Sequence, residues 1–241
     1  MEIRDSVAIV TGASRGIGRA TAETLAREGG KVVVNARTET DALRQLAKSL
    51  GTGKGLVAAG DVGDLNACRK IVEAATARFG RVDILVNNAG IFGLVKMEKM
   101  RPEDWESMFR VHVFGAFNLI HLVLPGMLER KRGVIVNVSS IAAARPPGPG
   151  RVHYGAAKAA LVGMTRALGQ EIASQGVRVV GIAPGLTDTE MVRKGIPNLA
   201  KRAETIPMGR IGTPEDIAHA VRFAIENEFL TAETLFVTGG E

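Results

Sequence analysis

Tyr154 and Lys158 stand four residues apart in the segment HYGAAKAALVGMTRAL, and their side chains could carry out acid–base chemistry. On a helix, residues i and i+4 lie on one face with adjacent side chains. An ammonium ion beside a phenol should lower the phenol pKa from its usual value of about 10. Such a phenol can act as general acid or base near neutral pH, which redox chemistry at a carbonyl requires. The same spacing also occurs on ordinary helix surfaces, so its meaning depends on the rest of the chain.

A glycine-rich turn near the start of the chain could hold a second reactant. The segment TGASRGIG (11–18) follows an apolar run and leads into a helical pattern. Gly12, Gly16 and Gly18 would allow a tight turn in which backbone amides approach a pyrophosphate at the helix N-terminus. An ordinary strand-to-helix turn is the alternative. The strand–turn–helix context favours a dinucleotide site.

The residues after the second apolar run favour NADP over NAD. An NAD site normally places Asp or Glu there, to bind the ribose 2′-hydroxyl. This chain has Asn35, Ala36 and Arg37 instead. Arg37 and Arg15 could pair with a 2′-phosphate, because a guanidinium group matches phosphate oxygens in a bidentate way. The alternative is that both arginines are solvated at the surface.

These residues must be positioned by a scaffold in which strands and helices alternate. Seven apolar runs rich in Val and Ile cover residues 6–12, 31–36, 55–62, 82–90, 133–140, 177–185 and 234–240. Continuous apolar runs are typical of parallel strands covered on both faces. We therefore predict an α/β fold: a doubly wound (Rossmann) seven-stranded parallel sheet with helices on both faces, in a single domain over residues 1–241.

Composition limits the classes of function. The net charge of +6 suits anionic ligands, but the basic residues are scattered and aromatic residues make up only 4%, which argues against nucleic acid. No apolar stretch is expected to reach the roughly 20 residues of a membrane span, and no signal peptide is evident. The single cysteine, Cys68, excludes an internal disulfide and fits a reducing compartment. We expect a cytoplasmic protein that binds neither nucleic acid nor membrane.

Two segments interrupt the alternation and could cover a ligand site. Residues 145–153 (RPPGPGRVH) contain prolines and glycines that exclude a helix or a central strand, and residues 186–212 form a long, proline-punctuated segment. Both leave the carboxyl ends of strands, where open parallel sheets bind ligands. We expect substrate specificity to lie in 91–101, 141–153 and 186–212. The apolar residues of these segments are Ile91, Phe92, Leu94, Met97, Met191, Ile196 and Met208. Packing of the segments onto the body is the alternative role for them.

Six motifs, in this order and spacing, resemble the short-chain dehydrogenase/reductase superfamily. They are TGASRGIG, Asp61 in GDV, NNAG (87–90), Ser140 in IVNVSS, Tyr154-x-x-x-Lys158, and Pro-Gly (184–185) followed by Thr189. Among its subgroups the chain is most similar to 3-oxoacyl-acyl carrier protein reductases. The resemblance implies hydride transfer between NADP(H) and a ketone or secondary alcohol. The substrate would be a small molecule or an acyl thioester.

The resemblance also implies a role for each motif residue. Tyr154 would exchange a proton with the substrate oxygen, and Ser140, rather than Ser139, would hydrogen-bond that oxygen. Lys158 would hold the nicotinamide ribose and lower the tyrosine pKa. The implied cofactor-binding residues are Gly12, Ser14, Arg15, Gly16, Ile17, Gly18, Arg37, Asp61, Val62, Asn88, Ala89, Gly90, Tyr154, Lys158, Pro184, Gly185, Thr187 and Thr189. Relatives form dimers or tetramers through long helices that here run over about 103–131 and 154–175, so a homo-oligomer is expected.

His112 departs from the family pattern, which usually has asparagine at this place in W-x6-N. In relatives that residue helps to hold a water that links the catalytic lysine to solvent. Imidazole titrates near 6.5 and could relay protons instead, which makes His112 a fourth catalytic candidate. It could equally displace the water or simply pack.

A metal site is not expected, because His121, His153 and His219 lack ligand spacing with one another.

A non-catalytic nucleotide-binding protein on the same scaffold is the alternative class of function. The unusual residue at position 112 favours that alternative, whereas the intact serine, tyrosine and lysine favour an enzyme.

Overall fold

The computed structural model describes residues 1–146, 148–195 and 198–241, except for the side chains of residues 194 and 195. Within these residues seven strands form one parallel sheet in the order β3-β2-β1-β4-β5-β6-β7. The strands are β1 (Val7–Val10), β2 (Lys31–Val34), β3 (Gly55–Val57), β4 (Ile84–Asn87), β5 (Gly133–Val138), β6 (Val177–Pro184) and β7 (Thr234–Val237). Each lies within a predicted apolar run, and the parallel sheet is confirmed.

Helices cover both faces of this sheet. They are α1 (Gly16–Arg27), α2 (Asp41–Ser49), α3 (Leu65–Phe79), α4 (Pro102–Phe109), α5 (Gly115–Glu129), α6 (Val152–Ile172), α7 (Glu190–Gly195), α8 (Leu199–Glu204) and α9 (Pro214–Glu226). One core joins the sheet to α1, α2 and α9, with Leu25, Leu43 and Val221 among its buried residues. The other joins it to α3, α5 and α6, with Leu119 and Ile172 among its buried residues. Because both faces are covered, the central strands are apolar on both sides, as predicted.

The sheet creates a crevice where its strand order reverses. β1 pairs with β2 on one side and with β4 on the other. The chain therefore leaves β1 and β4 toward opposite faces, and the carboxyl ends of these strands border a gap that suits a ligand. The predicted runs extend past the observed strands at this edge, because residues such as 11–12, 88–90 and 139–140 turn away from the sheet to line the crevice.

The long helix before β5 contains an irregular turn. A five-residue π-helix, Arg110–Phe114, joins α4 to α5 and carries the buried His112. Pro102 occupies the first turn of α4, where its missing amide costs no hydrogen bond. Single π turns inside helices often occur at functional sites.

The same helical run is longer and more apolar than the sequence analysis expected. Among the described residues, Pro102–Glu129 is a helix of 28 residues with a mean hydropathy of 1.6 in an 18-residue window, so its length and composition alone would allow it to cross a membrane. A core helix meets the same criteria. In this protein 44% of that window is buried, and α5 packs on α3, β4 and β5.

Candidate active site

Three of the candidate catalytic residues meet at the carboxyl end of β5. Ser140 follows this strand, and Tyr154 and Lys158 lie on the first two turns of α6. The Ser140 and Tyr154 side chains line the same cavity, and Ser140 acts to lower the pKa of the Tyr154 phenol. Lys158 Nζ donates to the Val138 carbonyl over 2.9 Å and lies 5.8 Å from the centroid of the Tyr154 ring. The i, i+4 spacing on a helix therefore does place the phenol and the amine side by side.

The two neighbouring serines have different surroundings. Ser139 is buried, and its hydroxyl donates to the backbone carbonyl of Lys158 over 2.8 Å, which ties β5 to α6. Ser140 is half-buried, lines the adjacent cavity and accepts a hydrogen bond from the Ala142 amide. Only Ser140 is therefore oriented toward space that a substrate could occupy, in agreement with the preference for it.

The pKa of Tyr154 differs from the expectation. Burial raises this pKa above its usual value, and the opposing effects of the Ser140 hydrogen bond and of the Arg151 charge are smaller. Burial also lowers the pKa of Lys158 to about 7, so near neutral pH its charge is only partly present. The prediction that the lysine would lower the tyrosine pKa is wrong for this structure, because desolvation disfavours the charged form of both groups. Tyr154 is therefore protonated at neutral pH, which suits an acid.

His112 contacts both the tyrosine and the chain after β4. Its Nε2 lies 2.9 Å from the Ile91 carbonyl oxygen and 3.2 Å from the Ile91 amide nitrogen, and its ring meets the Tyr154 ring edge-on at 5.6 Å. A Cβ on Gly90 would lie only 2.5 Å from the imidazole, so glycine is needed beside it. His112 thus supports Ile91 and forms one wall around the phenol.

The expectation that His112 titrates near pH 6.5 is also wrong. Burial, followed by the nearby Lys158 charge, lowers the pKa of His112 to about 3. The imidazole is then neutral over the range in which most enzymes work. A neutral ring can use Nε2 either to donate to the Ile91 carbonyl or to accept from the Ile91 amide. Its contribution to catalysis stays a prediction, but one that does not require a charged imidazole.

His112→Asn should preserve turnover and stability, because an amide side chain can both donate to and accept from the Ile91 backbone. His112→Leu should lower the free energy of unfolding by about 1–3 kcal/mol, because it leaves buried polar groups at Ile91 without a partner. It should also slow turnover. Urea unfolding and steady-state kinetics from pH 5 to 8 measure both effects. A kinetic pKa near 6.5 in the parent that vanishes in His112→Asn would contradict the neutral imidazole.

The glycine-rich turn fits a dinucleotide pyrophosphate. Gly12 and Gly16 have φ values of +62° and +55°, and a Cβ on Gly12 would lie 2.9 Å from Cα of Ala89. α1 starts at Gly16 with neither a side-chain cap nor an acidic residue in its first turn. Its first amides are therefore not capped by side chains and can donate to phosphate oxygens. Ser14 is half-buried in the turn, and Ile17 packs against the core below it.

Thr11 connects this turn to the segment after β4, a role that the sequence analysis missed. Its Oγ1 accepts hydrogen bonds from the amides of Asn88 and Ala89, each over 2.9 Å. The Asn88 side chain donates in return to the Thr11 carbonyl, also over 2.9 Å. These bonds hold both sides of the crevice at a set separation. A hydroxyl residue directly before the first glycine is the signal that could have identified it.

Four other predicted cofactor residues follow the carboxyl ends of β1, β2 and β3. Asp61 accepts a hydrogen bond from the Gly63 amide. The backbone carbonyl of the buried Val62 accepts a hydrogen bond from the Asn118 side chain. Arg37 is exposed beside β2. Arg15 is also exposed and forms an ion pair of 2.8 Å with Glu190, the first residue of α7.

The segment after β6 closes the opposite side of the crevice. Thr187 is buried and forms an isolated bridge with Gly212, and its hydroxyl donates to the Gly185 carbonyl. Pro184 ends β6. A Cβ on Gly16 would lie 3.2 Å from Cγ2 of Thr189, so Thr189 lies against the glycine-rich turn. The fold thus brings residues 184–189 to the predicted cofactor site, although they are distant in sequence from the glycine-rich turn.

A cavity of about 350 Å³ opens beside Ser140 and Tyr154. Phe92 and Met191 line it, as expected for the apolar residues of the surrounding segments. Three other expected residues instead lie exposed at the surface: Leu94, Met97 and Met208. Ile91 contacts His112, and Ile196 lies outside the described residues. The sequence analysis did not single out the four charged lining residues, Arg145, Arg151, Arg202 and Glu241.

In the part of the chain that the structure describes, no group of three His, Cys, Asp or Glu residues is arranged to hold a metal ion. Cys68 is buried, and desolvation raises its thiol pKa to about 12, so it is an unreactive thiol.

Comparisons with known proteins match the whole chain to one family. The family described as short chain dehydrogenase matches residues 6–199. The 3-oxoacyl-[acyl-carrier-protein] reductase FabG of Escherichia coli (strain K12) is 39% identical over 244 residues, covering 100% of this chain and 98% of that protein. FabG of Vibrio cholerae is 40% identical over 245 residues, with coverage of 100% and 98%. FabG of Thermotoga maritima is 35% identical over 246 residues, with coverage of 100% and 99%. Together with the parallel sheet and the glycine-rich crevice, these matches show that the chain belongs to the short chain dehydrogenase family.

Proposed function

We propose that this protein is an NADP(H)-dependent reductase of 3-oxoacyl thioesters, which transfers hydride between the nicotinamide and the 3-oxo group. The observation that carries the proposal is that Ser140 and Tyr154 line one cavity, which is large enough for an acyl chain. Gly185 and Leu186 also line this cavity, so it adjoins the segment that closes the cofactor crevice. The full-length similarity to 3-oxoacyl-[acyl-carrier-protein] reductases supports this substrate class.

The residues of the site suit ketone reduction. The chemistry that a nicotinamide supplies when bound in the crevice is hydride transfer. Tyr154, whose pKa is raised by burial, keeps its proton at neutral pH and donates it to the substrate oxygen. Ser140 donates a hydrogen bond to the same oxygen, where negative charge develops. Lys158, next to the phenol, would bind the ribose hydroxyls and stabilise the tyrosinate left after proton transfer.

Steady-state oxidation of NADPH with acetoacetyl thioesters, simple ketones and sugar ketones tests this function. We expect the acetoacetyl thioester to have the highest kcat/KM. Absence of turnover with every carbonyl compound would refute the reductase function, and a preference for a sugar would refute the substrate class. No observation on the described residues favours the non-catalytic alternative.

We propose NADP(H) rather than NAD(H) as the cofactor. Arg37 and Arg15 are both exposed, and no acid follows β2 at positions 35–37. Arg15 would exchange its exposed partner Glu190 for the 2′-phosphate. An exposed ion pair contributes little stability, so this exchange costs little.

Arg37→Ala should weaken NADPH binding by about 1–3 kcal/mol, the range of a charge-assisted hydrogen bond, and leave NADH binding nearly unchanged. Calorimetric titration of both cofactors measures this difference. Lys48→Ala, at an exposed position on α2, removes the same charge away from the site and serves as the control. Equal losses for both cofactors, or tighter NADH binding by the parent, would refute the preference.

We further propose a homo-oligomer, a dimer or tetramer, that acts in the cytoplasm. Phe114 and Phe117 are 55% and 53% exposed on the α4–α5 run, the helix through which the family resemblance implies association. Burying these rings against a second copy would remove apolar surface from water.

A further inference from the structure

Glu241 links two parts of the wall of the cavity beside Tyr154. Leu186, Arg202 and Glu241 all line this cavity. Oε2 of Glu241 accepts a hydrogen bond from the Leu186 amide over 2.9 Å, and Oε1 forms an ion pair of 3.3 Å with Arg202 on α8. Leu186 follows β6, so one carboxylate joins the start of the segment after that strand to α8. Its two oxygens thus hold two sections of the wall at a set separation.

The turn after β7 directs Glu241 toward the cavity. Gly239 and Gly240 have φ values of +65° and +96°, a conformation that favours glycine. The Glu241 amide donates to the Thr238 carbonyl over 3.3 Å, and the Thr238 hydroxyl donates to the Glu241 backbone carbonyl over 3.3 Å. A Cβ on Gly185 would lie only 2.9 Å from Oε2 of Glu241, so glycine makes room for the carboxylate. Its own turn and the segment after β6 therefore fix the position of Glu241.

The ion pair places two charges beside apolar parts of the wall. The Glu241 side chain is only 16% exposed, whereas that of Arg202 is 48% exposed. Phe92, Leu186 and Met191 line the same cavity. An alkyl chain packed against the pair would remove water from both charges, and an apolar contact does not replace that hydration. The pair therefore disfavours long acyl chains, although it holds the wall in place for short ones.

We propose that Glu241 is a specificity-determining residue, which positions Leu186 and α8 so that the cavity accepts short 3-oxoacyl chains in preference to long ones. The inference rests on the proposed reductase function of the same site. A wall that is held in place before binding spares a short substrate the cost of ordering it. A longer chain contacts more of the cavity and depends less on this positioning, but it packs against the charged pair.

Two neutral thioesters of different length test this preference: acetoacetyl-N-acetylcysteamine and 3-oxooctanoyl-N-acetylcysteamine. In the parent, kcat/KM should be higher for the acetoacetyl thioester. Glu241→Ala should raise KM for that thioester about tenfold, the scale of one charge-assisted hydrogen bond. It should change kcat by less than about threefold, because Ser140 and Tyr154 are positioned by β5 and α6. The ratio of the two kcat/KM values should shift toward the longer thioester by about fivefold or more.

Further variants separate the role of the carboxylate from a general effect on the fold. Glu241→Gln retains an oxygen that can accept from the Leu186 amide, so it should lose only part of the preference. Arg202→Gln should shift the preference in the same direction. Adding it to Glu241→Ala should change nothing further, because both substitutions act on one contact. Glu233→Ala, at an exposed position just before β7, removes the same charge and should leave kcat/KM for both thioesters unchanged.

Four results would overturn the inference. They are a parent that prefers the longer thioester, an unchanged ratio in Glu241→Ala, a fall of kcat for both thioesters with KM unchanged, and additive effects of Glu241→Ala and Arg202→Gln.

A binding measurement separates this inference from the reductase function. If the parent reduces neither thioester, the proposed function fails, and calorimetry of both thioesters with NADP-loaded protein still tests the preference. Binding of the acetoacetyl thioester that Glu241→Ala weakens about fivefold more than binding of the longer one supports the inference. Equal changes for both thioesters, or no binding of either by the parent, overturn it.

Hydrogen exchange of the cofactor-free protein tests the positioning itself. The Leu186 amide should exchange about tenfold faster or more in Glu241→Ala, because its acceptor is lost. The neighbouring Gly185 amide donates to the Val237 carbonyl over 2.9 Å, so it should stay protected and serves as the internal control. Unchanged exchange at Leu186 would show that the carboxylate does not hold the wall, and the inference would fail.

Discussion

Tyr154→Phe is expected to reduce kcat for ketone reduction by about 10²–10⁴-fold, because it removes only the hydroxyl that supplies the proton. The substitution keeps the ring that packs edge-on against Phe92 and His112. Fold and NADPH binding should therefore be retained. Steady-state kinetics and calorimetric titration of NADPH with the same preparation measure the two effects separately. Near-normal turnover would exclude the tyrosine as the acid.

A direct measurement of the phenol complements this experiment. Tyr154 is the only tyrosine in the chain, so the ultraviolet absorbance of tyrosinate reports its ionisation alone. We expect the cofactor-free protein to show tyrosinate only above the ordinary pKa of about 10, because burial raises the pKa. Tyrosinate already present near pH 7 would contradict that direction and restore the expectation drawn from the sequence.

Lys158→Met should reduce turnover by about 100-fold, at the lower end of the range for acid–base catalysis, and should at the same time stabilise the protein. Turnover falls because the amine next to the phenol is lost. Stability rises because a buried amine is replaced by an apolar chain of similar length. The pKa of Lys158 is lowered to about 7 in the folded protein, against about 10.4 in an unfolded chain.

The sign of the pH effect follows from these two values. Between about pH 7 and 10 the unfolded chain binds a proton at Lys158 that the folded protein does not, so the parent becomes less stable as the pH falls. The advantage of Lys158→Met should thus grow by about 1.4 kcal/mol per pH unit on lowering the pH through this range. Below about pH 7 it should level off, because both states of the parent are then protonated.

Urea unfolding of the cofactor-free protein at several pH values measures this slope. Lys70→Met, at an exposed position on α3, removes the same charge and should show no such trend. A parallel pH dependence in the parent and in Lys158→Met would show that the lysine is charged in the folded protein, and the depressed pKa would be wrong.

The sequence by itself determined the fold class and the positions of the candidate groups. Strand burial on both faces produces continuous apolar runs, and a helix brings residues i and i+4 together, so both features are encoded locally. The glycines of the turn are likewise local, since a positive φ is a property of one residue. The choice of Ser140 over Ser139 was implied by the family resemblance, and Ser140 is the one of the two that lines the cavity.

Tertiary structure alone decided the electrostatics of the site. Desolvation depends on all the groups that surround a side chain, and it reverses the expected direction of the pKa of Tyr154 and keeps His112 neutral. The hydrogen bonds of Thr11 and the meeting of Arg151, Arg202 and Glu241 around one cavity join segments far apart in the chain. No local pattern encodes such contacts, because they exist only once the sheet and its connecting segments have closed around the crevice.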